Sequence, residues 1–190
     1  MRPHLVIFVK EPRPGRVKTR LAADIGPIAA AWWFRHQTRR LIRRLSADSR
    51  WQTVIAVAPD REGLESRNWP AHLPRHPQGR GNLGDRMARA LRDMPAGPVA
   101  IIGGDIPGIT PAHIADAFRA LRGHDAVFGP APDGGFWLVG LKRSRTIPPT
   151  LFDRVRWSTQ HALADSRDTL PGYSIAQVAT LRDVDTVADL

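Results

Sequence analysis

The stretch Val99-Ala100-Ile101-Ile102-Gly103-Gly104-Asp105-Ile106-Pro107 combines the two features from which the fold is predicted. Its first four residues form a short, continuous apolar run, which is typical of a strand buried on both faces of a parallel sheet. Two glycines, an aspartate and a proline follow directly and end the strand in a tight turn. Ligands of open α/β sheets bind beyond the carboxyl ends of the strands, so Asp105 stands where a ligand is expected.

Similar apolar runs recur along the chain, at Leu5 to Val9, Val54 to Ala58, Ala126 to Phe128 and Phe136 to Val139. Helical apolar patterns separate several of them, at Ile28 to Leu45, Leu83 to Leu91 and Pro111 to Leu121. This alternation predicts an α/β fold with a mixed, mostly parallel central sheet flanked by helices. Because Asp133-Gly134-Gly135 gives a tight turn, we expect Phe136 to Leu141 to run antiparallel to its neighbour.

Three details of this prediction concern helix faces and the end of the chain. In the helix from Ile28 to Leu45, we expect Trp32 to lie with the apolar residues that face the core. Ser158 or Thr159 is expected to cap a helix running to about Leu170. A last strand is predicted at Ser174 to Thr180, followed by a short helix that begins near Asp185.

Length and composition narrow the class of protein. The 190 residues, 42% of them hydrophobic, are enough for one substantial core, and a single domain over residues 1–190 is expected. The sequence contains no membrane span or signal peptide pattern, which predicts a cytoplasmic protein. With no cysteine, a metal would be held by carboxylate, imidazole or water.

The formal net charge of +10 is compatible with nucleic acid, a membrane surface or polyphosphate as an anionic partner. A module that binds single-stranded nucleic acid would need exposed aromatic residues among its basic ones. The candidates for this are Trp32, Trp33 and Phe34, which stand beside the arginine-rich face of the predicted helix, and Trp32 suits the core better. A nucleic-acid partner is therefore disfavoured, and the arginine-rich helix face is interpreted as solvated.

The segment Lys10 to Leu21 leaves the first predicted strand as a loop with five basic residues: Lys10, Arg13, Arg16, Lys18 and Arg20. Its glycine, Gly15, lets the backbone approach a ligand while basic side chains reach phosphate oxygens. The loop lacks the glycine spacing of a Walker P-loop. It is either a phosphate cradle or an exposed basic loop.

The second glycine-rich segment, Gln78 to Met87, leads into a predicted helix. Its glycines, including Gly84, permit close approach of the backbone to a nucleotide, and Asn82, Asp85 and Arg86 are polar groups for a base or ribose. The alternative is a glycine-rich turn in which Asn82 or Asp85 caps the helix.

The carboxylates best placed to hold a metal are Asp105 and the pair Asp183 and Asp185. Asp105 offers a hard oxygen ligand for Mg²⁺ or Mn²⁺ against phosphate oxygens, although it would also serve as a turn or helix cap. In an extended segment, Asp183 and Asp185 lie on the same side. Either could meet Asp105, and Asp185 could instead cap the last helix.

Ordered motifs over nearly the whole chain resemble the bacterial radical-SAM/selenodomain-associated transferase family. These motifs are Phe8-Val9-Lys10, Pro14-Gly15-Arg16-Val17-Lys18-Thr19-Arg20-Leu21, Gly84-Asp85-Arg86-Met87, Gly104-Asp105-Ile106-Pro107-Gly108, Asp133-Gly134-Gly135-Phe136-Trp137-Leu138-Val139-Gly140-Leu141, Trp157-Ser158-Thr159 and Asp183-Val184-Asp185-Thr186. That family is similar to the phospholactate and molybdenum-cofactor guanylyltransferases and, more distantly, to CMP-sugar synthetases. All are built on the glycosyltransferase-A, or nucleotide-diphospho-sugar transferase, fold.

The resemblance implies a nucleotide across the carboxyl ends of the first strands, with the basic loop on its phosphates. It also implies a divalent metal on Asp105, with Asp185 as the second ligand. Glycosyltransferases of this fold usually carry Asp-x-Asp at the metal, whereas this chain has Gly103, the single-acid form of the nucleotidyltransferases.

These observations predict a metal-dependent transferase that uses a nucleotide or nucleotide-sugar and a small-molecule acceptor. The alternative is nucleotidyl transfer from a triphosphate to a phosphorylated or carboxylated acceptor, with Lys18, Arg20 and the metal stabilising the developing charge. Asp133 is a candidate to orient or deprotonate the acceptor, although its Asp-Gly-Gly context also explains it as a turn residue. A catalytically silent homologue is the remaining alternative.

Overall fold

A computed structural model describes residues 2–189 of the chain. Seven strands form one sheet: β1 (His4–Lys10), β2 (Gln52–Ala58), β3 (Arg75–Pro77), β4 (Val99–Gly103), β5 (Ala126–Pro130), β6 (Phe136–Leu141) and β7 (Ile175–Gln177). The helices are α1 (Thr19–Ile25), α2 (Pro27–Ser46), α3 (Asp60–Glu65), α4 (Leu83–Asp93), α5 (Pro111–Gly123) and α6 (Ala162–Asp168), with a terminal 3-10 turn at Val187–Asp189.

The strand order is β3-β2-β1-β4-β6-β5-β7. All pairings are parallel except those of β6, which runs antiparallel to both β4 and β5. The predicted mixed, mostly parallel α/β sheet is thereby confirmed. The prediction that Phe136 to Leu141 returns antiparallel after the Asp-Gly-Gly turn is also confirmed.

Alternate residues of the central strands supply two cores on opposite faces of the sheet. Leu5, Ile7 and Val9 of β1 point toward the face covered by α2 and α5. Val6, between them, joins the core on the other face, which α4 and α6 cover. Burial on both faces explains why the central strands read as continuous apolar runs rather than as alternating patterns.

The expectation that Trp32 faces the core is wrong, because its side chain is 58% exposed. The buried stripe of α2 consists instead of Ala30, Ala31, Phe34, Thr38, Leu41, Ile42 and Leu45. These positions recur at three- and four-residue spacing, and Trp32 lies off that stripe on the helix surface.

Three short elements differ from the sequence prediction. Helix α1 begins at Thr19, so Arg20 and Leu21 are helical and the basic loop ends at Lys18. Helix α3 and strand β3 were not predicted, because six and three residues are too few to give a clear periodic pattern.

The predicted cap by Ser158 or Thr159 is also wrong, because α6 begins only at Ala162. The Thr159 hydroxyl donates to the Arg156 carbonyl at 2.7 Å and accepts the His161 amide at 3.2 Å, which stabilises a turn before the helix. Ser158 has a positive φ of 59° within that turn.

The chain's last segment is shorter in regular structure than predicted. Strand β7 covers only Ile175–Gln177, and the predicted terminal helix is the 3-10 turn at Val187–Asp189. Asp185 does not cap this turn; its amide donates to the Asp189 carboxylate at 3.2 Å. Among residues 2–189, no helix is long and apolar enough to cross a membrane.

Candidate functional site

The centre of the candidate site is the ammonium of Lys18, which is surrounded by carboxylates. Its Nζ lies 2.6 Å from Oδ2 of Asp105, 3.0 Å from Oδ1 of Asp185 and 4.0 Å from Oδ2 of Asp183. The Lys18 side chain is only 6% exposed, whereas Asp105 and Asp185 are 30% and 37% exposed. One buried cation therefore joins the end of β1, the end of β4 and the C-terminal segment.

The charge state of this lysine follows from its neighbours. Burial by itself lowers the pKa of Lys18, but attraction to the Asp105 and Asp185 carboxylates outweighs burial and raises the pKa overall. The amine therefore stays protonated at neutral pH. Burial, reinforced by repulsion from Asp185, raises the pKa of the Asp183 carboxyl group.

The backbone of Lys18 is held in the left-handed region, with φ of 47° and ψ of 51°. That conformation is unfavourable for a residue with a Cβ and concentrates at functional positions. It places Lys18 at the N-terminal end of α1, where its carbonyl accepts the Ala22 amide at 2.8 Å. The strained backbone and the buried ammonium belong to the same residue.

Asp105 is positioned by the two glycines that precede it. A Cβ on Gly103 would come within 2.9 Å of Oδ1 of Asp105. A Cβ on Gly104 would press on Thr38 at 3.0 Å and on the Phe8 carbonyl at 3.1 Å. Gly103 thus leaves room for the carboxylate, which gives a packing reason why no second acid stands at this position.

Helix α2 holds the turn after β4 that carries Asp105. The buried Thr38 hydroxyl donates to the Gly104 carbonyl at 2.9 Å, and an Arg44 N–H donates to the Pro107 carbonyl at 2.7 Å. These hydrogen bonds hold the turn after β4 against the helix. Asp105 is consequently carried on a rigid part of the structure rather than on a free loop.

Asp183 and Asp185 flank Val184, which is buried in the protein. The segment reaches this place from β7 along the sheet: Trp137 Nε1 donates to the Ala179 carbonyl at 2.8 Å, and the Val187 amide donates to the Asp24 carboxylate of α1 at 3.2 Å. With the valine inward, both aspartates face the ammonium of Lys18. Asp183, one of the two aspartates that the sequence offered as a partner for Asp105, is more distant from the ammonium than Asp185 but belongs to the same cluster.

A cleft of about 640 Å³ opens beside this cluster. Of the predicted nucleotide-binding residues, six line it: Lys10, Arg16, Lys18, Arg20, Asn82 and Arg86. Asp105 and Asp185 line the same cleft. The Arg20 guanidinium lies 2.9 Å from Oδ2 of Asp185, and the Arg20 side chain is 73% exposed.

Three other predicted binding residues lie outside the cleft lining and have structural tasks. Gly15 turns the chain with φ of 74°. A Cβ on Gly84 would collide with Phe152 at 2.7 Å, so this glycine allows α4 to pack. Asp85 and Asn82 form a reciprocal capping box, in which the Asp85 carboxylate accepts the Asn82 amide at 2.8 Å.

A second cavity of about 240 Å³ adjoins the cleft, and Asp105 lines both. Aromatic side chains form much of its wall: Phe8, Phe136, Trp137 and Trp157. Asp133 and Asp183 also line it. The predicted catalytic residues Lys18 and Arg20 therefore stand in the cleft, while Asp133 stands in the adjoining pocket.

Asp133 itself shapes the turn before β6, where its Oδ1 accepts the Gly135 amide at 2.9 Å. The aromatic lining of this pocket was not singled out from the sequence. The motif Trp157-Ser158-Thr159 was a signal for it, because Ser158 lines both cavities.

The carboxylates around Lys18 are candidate ligands for a divalent cation. Carboxylate oxygens are the ligands that Mg²⁺ and Mn²⁺ prefer, and Asp105 and Asp185 present them toward the cleft. Within residues 2–189, however, no group of three or more His, Cys, Asp or Glu side chains has the arrangement of a metal site. The ammonium of Lys18 stands among the oxygens. The oxygens of Asp105 and Asp185 are suitable ligands for a divalent cation, provided that the Lys18 ammonium moves away from them.

The chain has recognisable relatives in sequence and in structure. A candidate nucleotide-diphospho-sugar transferase from Desulfovibrio desulfuricans G20 is 31% identical, with a TM-score of 0.84 over 100% of this chain and 85% of that one. No curated protein matches the sequence.

Two more distant structures share the fold. The 4-diphosphocytidyl-2C-methyl-D-erythritol synthase from Anaerococcus prevotii has a TM-score of 0.62 at 9% identity, over 99% of this chain and 94% of that one. Rv0371c from Mycobacterium tuberculosis H37Rv, in its complex with manganese, has a TM-score of 0.59 at 13% identity, over 100% and 96%. The fold is therefore that of nucleotide-diphospho-sugar transferases.

The family is shown by a match over residues 41–159, which is more than half of the chain. This segment runs from α2 to the turn before α6 and includes Asp105 and Asp133. The protein thus belongs to the bacterial family DUF2064, whose description is uncharacterized protein conserved in bacteria.

Proposed function

We propose that the protein is a metal-dependent transferase that takes a nucleotide-sugar as donor and passes its sugar to a small-molecule acceptor. The observation that carries the proposal is the junction of two cavities at Asp105: a basic cleft of nucleotide size and a smaller aromatic pocket. A donor in the cleft and an acceptor in the pocket would meet at this residue. The motifs that resemble the radical-SAM/selenodomain-associated transferases support the same function.

The basic side chains of the cleft would bind the donor's phosphates. Lys18 and Arg20 are already in place, but they are neutralised by Asp105 and Asp185. A diphosphate entering the cleft would offer them stronger anionic partners, and charge-assisted hydrogen bonds to phosphate would replace those to carboxylate. Lys10, Arg16 and Arg86 line the same cleft and would extend this contact.

Release of Lys18 would free the two carboxylates that it now occupies. We propose that Asp105 and Asp185 then hold Mg²⁺ or Mn²⁺, which would neutralise charge that develops on the leaving phosphate. A fold relative, Rv0371c of Mycobacterium tuberculosis, exists as a manganese complex, which supports this assignment without fixing its ligands. Lys18 and Arg20 would stabilise the same charge from the protein side.

The proposed step leaves the protein itself unmodified. A hydroxyl or amino group of the acceptor forms a bond to the anomeric carbon of the sugar, while the bond from that carbon to the phosphate oxygen breaks. The nucleoside diphosphate leaves with the electron pair. Asp133, which lines the acceptor pocket, would take the acceptor's proton.

Nucleotidyl transfer is the second candidate, and Gly103 favours it. This position holds no second acid, as in the single-acid nucleotidyltransferases that the sequence resembles. In that reaction the acceptor attacks the α-phosphorus of a triphosphate, and pyrophosphate leaves.

The products distinguish the two reactions. The purified protein is incubated with Mn²⁺, a mixture of acceptors and either nucleotide-sugars or nucleoside triphosphates. We expect acceptor-dependent release of a nucleoside diphosphate from a nucleotide-sugar. Pyrophosphate release from a triphosphate would instead establish the second candidate, and the absence of both products with every donor would contradict the proposal.

A further inference from the structure

The two cavities that meet at Asp105 have opposite charge. The cleft is lined by five basic side chains, namely Lys10, Arg16, Lys18, Arg20 and Arg86, against two acidic ones, Asp105 and Asp185. Among the described residues that line the smaller pocket, none is basic and three are acidic: Asp105, Asp133 and Asp183. The cavities share five lining residues, namely Phe8, Leu83, Gly103, Asp105 and Ser158, so the charge changes where the two cavities meet.

The walls of the smaller pocket are apolar and built from packed rings. Phe136 lies edge-on to Phe128 at 5.2 Å between ring centroids and to Trp157 at 6.2 Å. Phe152 packs edge-on against Trp157 at 6.0 Å from the side of α4. Aromatic pairs at these separations are favourable and keep their arrangement, so the pocket has a defined shape.

The size of the pocket limits what it can take. Its volume of about 240 Å³ lies below the roughly 300–1,000 Å³ that is usual for drug-sized ligands, so it accommodates about one ring. Trp137, which lines the pocket, is held by its hydrogen bond to the Ala179 carbonyl. The ligand would contact aromatic carbon along most of its surface and carboxylate oxygens at the mouth.

We propose that this pocket selects an acceptor with a ring-sized apolar part and a hydroxyl or amino group, and that it rejects acceptors carrying phosphate or carboxylate. This inference rests on the proposed transferase function and specifies its acceptor. No basic side chain lines the pocket, and the Lys18 ammonium that approaches its acidic residues is already paired with Asp105 and Asp185. An anionic group in the pocket would therefore face acidic side chains without a free basic partner, and such a charge in a largely apolar site is costly. A hydroxyl or ammonium group would instead donate to Asp133 or Asp183.

The difference in charge between the two cavities also indicates which substrate binds in each. The donor's phosphates belong to the basic cleft, and the acceptor's nucleophile meets the transferred group at Asp105. An alcohol or amine acceptor is thereby favoured over a phosphorylated or carboxylated one for either transfer reaction. Asp133 lines the pocket and is exposed to solvent, so its charge can be changed with little disturbance of the core.

The experiment uses three probes that share one ring and differ in charge: 2-phenylethanol, 2-phenylethylamine and 2-phenylethyl phosphate. Binding to the full-length protein is followed by saturation-transfer NMR up to millimolar concentration. A nucleoside diphosphate is titrated separately with Mn²⁺ to report on the cleft. We expect the alcohol and the amine to bind and the phosphate to bind at least tenfold more weakly.

Two Asp-to-Asn variants locate the effect. Asp133→Asn keeps an oxygen for the Gly135 amide but removes the charge, and it should weaken the amine several-fold more than the alcohol. Asp116→Asn, an exposed position on α5 outside the pocket, should leave all three probes unchanged.

The outcomes separate this inference from the proposed function. Equal or tighter binding of the phosphate, or no binding of any probe, overturns the assignment of the acceptor even when the nucleoside diphosphate binds. Equal effects of Asp133→Asn and Asp116→Asn overturn it as well. If the probes bind as expected and the nucleoside diphosphate does not, the pocket's selectivity stands and the transferase proposal fails.

Discussion

The ammonium of Lys18 lies 2.6 Å from the Asp105 carboxylate, in the space that a divalent cation bound to Asp105 and Asp185 would need. Lys18 and Asp185 are 167 residues apart in sequence and meet only because the last segment crosses from β7 to α1. The free protein thus neutralises its acidic cluster with its own cation. A divalent cation that binds as proposed would compete with Lys18 for the oxygens of Asp105 and Asp185.

Lys18→Met should therefore tighten the binding of Mn²⁺ to the protein without nucleotide. A hydrogen bond between charged groups is worth about 1.5–3 kcal/mol, so its loss should raise Mn²⁺ affinity by roughly ten- to a hundredfold. Nucleotide affinity should fall in the same variant, because a phosphate contact is lost. Electron paramagnetic resonance of free Mn²⁺ measures the first effect, and calorimetry measures the second.

Lys142→Met is the control, since it removes one positive charge at a site where the ammonium donates to the Arg122 carbonyl. It should change neither affinity. Unaltered Mn²⁺ binding in Lys18→Met would contradict the competition between lysine and metal.

Asp105→Asn should abolish the metal dependence of nucleotide binding and lower activity, because the amide is a poor replacement for a carboxylate ligand. The loss of stability should be small compared with the loss of activity, because the Asp105 carboxylate is 30% exposed and the buried Lys18 ammonium keeps Asp185 as a partner. Thermal unfolding and an activity assay on the same preparation check this. A collapsed melting temperature with intact activity per folded molecule would make Asp105 a structural residue.

Arg20→Ala should weaken nucleotide binding by roughly ten- to a hundredfold, as expected for the loss of a charge-assisted contact of about 1.5–3 kcal/mol. Arg43→Ala, on the exposed face of α2, is the matched control and should have almost no effect. Calorimetric titration of both variants compares them directly. Equal small losses would indicate a diffuse basic surface instead of a defined phosphate site.

Gly103→Ala and Gly104→Ala form a pair that separates site geometry from packing. The Gly103 methyl would press on Oδ1 of Asp105, so activity and Mn²⁺ affinity should fall with little loss of stability. The Gly104 methyl would press on Thr38 and on the Phe8 carbonyl, so the free energy of unfolding should fall by about 1–3 kcal/mol. Denaturant unfolding measures the stability of both variants, and an activity assay completes the comparison. Equal losses of stability and activity in the two variants would contradict the separate roles of Gly103 and Gly104.

The carboxyl group of Asp165 should make the stability of the folded protein depend on pH. A side-chain hydrogen bond from Arg156, with further contacts from the Arg156 backbone and charge, lowers the pKa of Asp165 below its ordinary 3.8. The ionised form is thus favoured in the folded state, and the stabilisation is complete above pH 3.8 and lost as the pH falls through the lower folded pKa. Asp165→Asn should be less stable than wild type at neutral pH, and this difference should shrink below about pH 3.8.

The control for this prediction is Asp168→Asn, an exposed position on the same helix. It makes the same change of charge without the Arg156 contact. Thermal unfolding over a pH series measures both variants. A destabilisation by Asp165→Asn that is independent of pH, or that Asp168→Asn reproduces, would contradict the electrostatic origin.

The central sheet could be predicted from sequence because β1, β2 and β4 are buried on both faces and therefore read as apolar runs. Because ligands of such sheets bind beyond the carboxyl ends of the strands, Lys18 and Asp105 could also be selected as site residues from the sequence, and the structure brings them into contact. Trp32 was assigned to the wrong face, because an apolar side chain next to a helix stripe looks like part of it. Strand β3, with three residues, gave no periodic signal.

Long-range contacts limited the prediction of the site. That Asp105 and Asp185 could meet followed from their positions at strand ends, but the ammonium of Lys18 between them depends on a left-handed backbone that no local pattern specifies. The aromatic pocket unites residues from β1, β6 and the turn before α6, which are distant in sequence. The difference in charge between the pocket and the cleft can be recognised only once the structure shows which residues line each cavity.

The most direct measurement of the central claim is calorimetric titration of the protein with a panel of nucleoside di- and triphosphates and nucleotide-sugars, each with Mn²⁺ and again after chelation. The account predicts that at least one nucleotide binds with Mn²⁺ and that chelation weakens this binding at least tenfold, because Lys18 and Arg20 then stay paired with Asp105 and Asp185 and are less available to the phosphates. Equal affinity with and without the metal, or no binding of any nucleotide in the panel, would contradict the account.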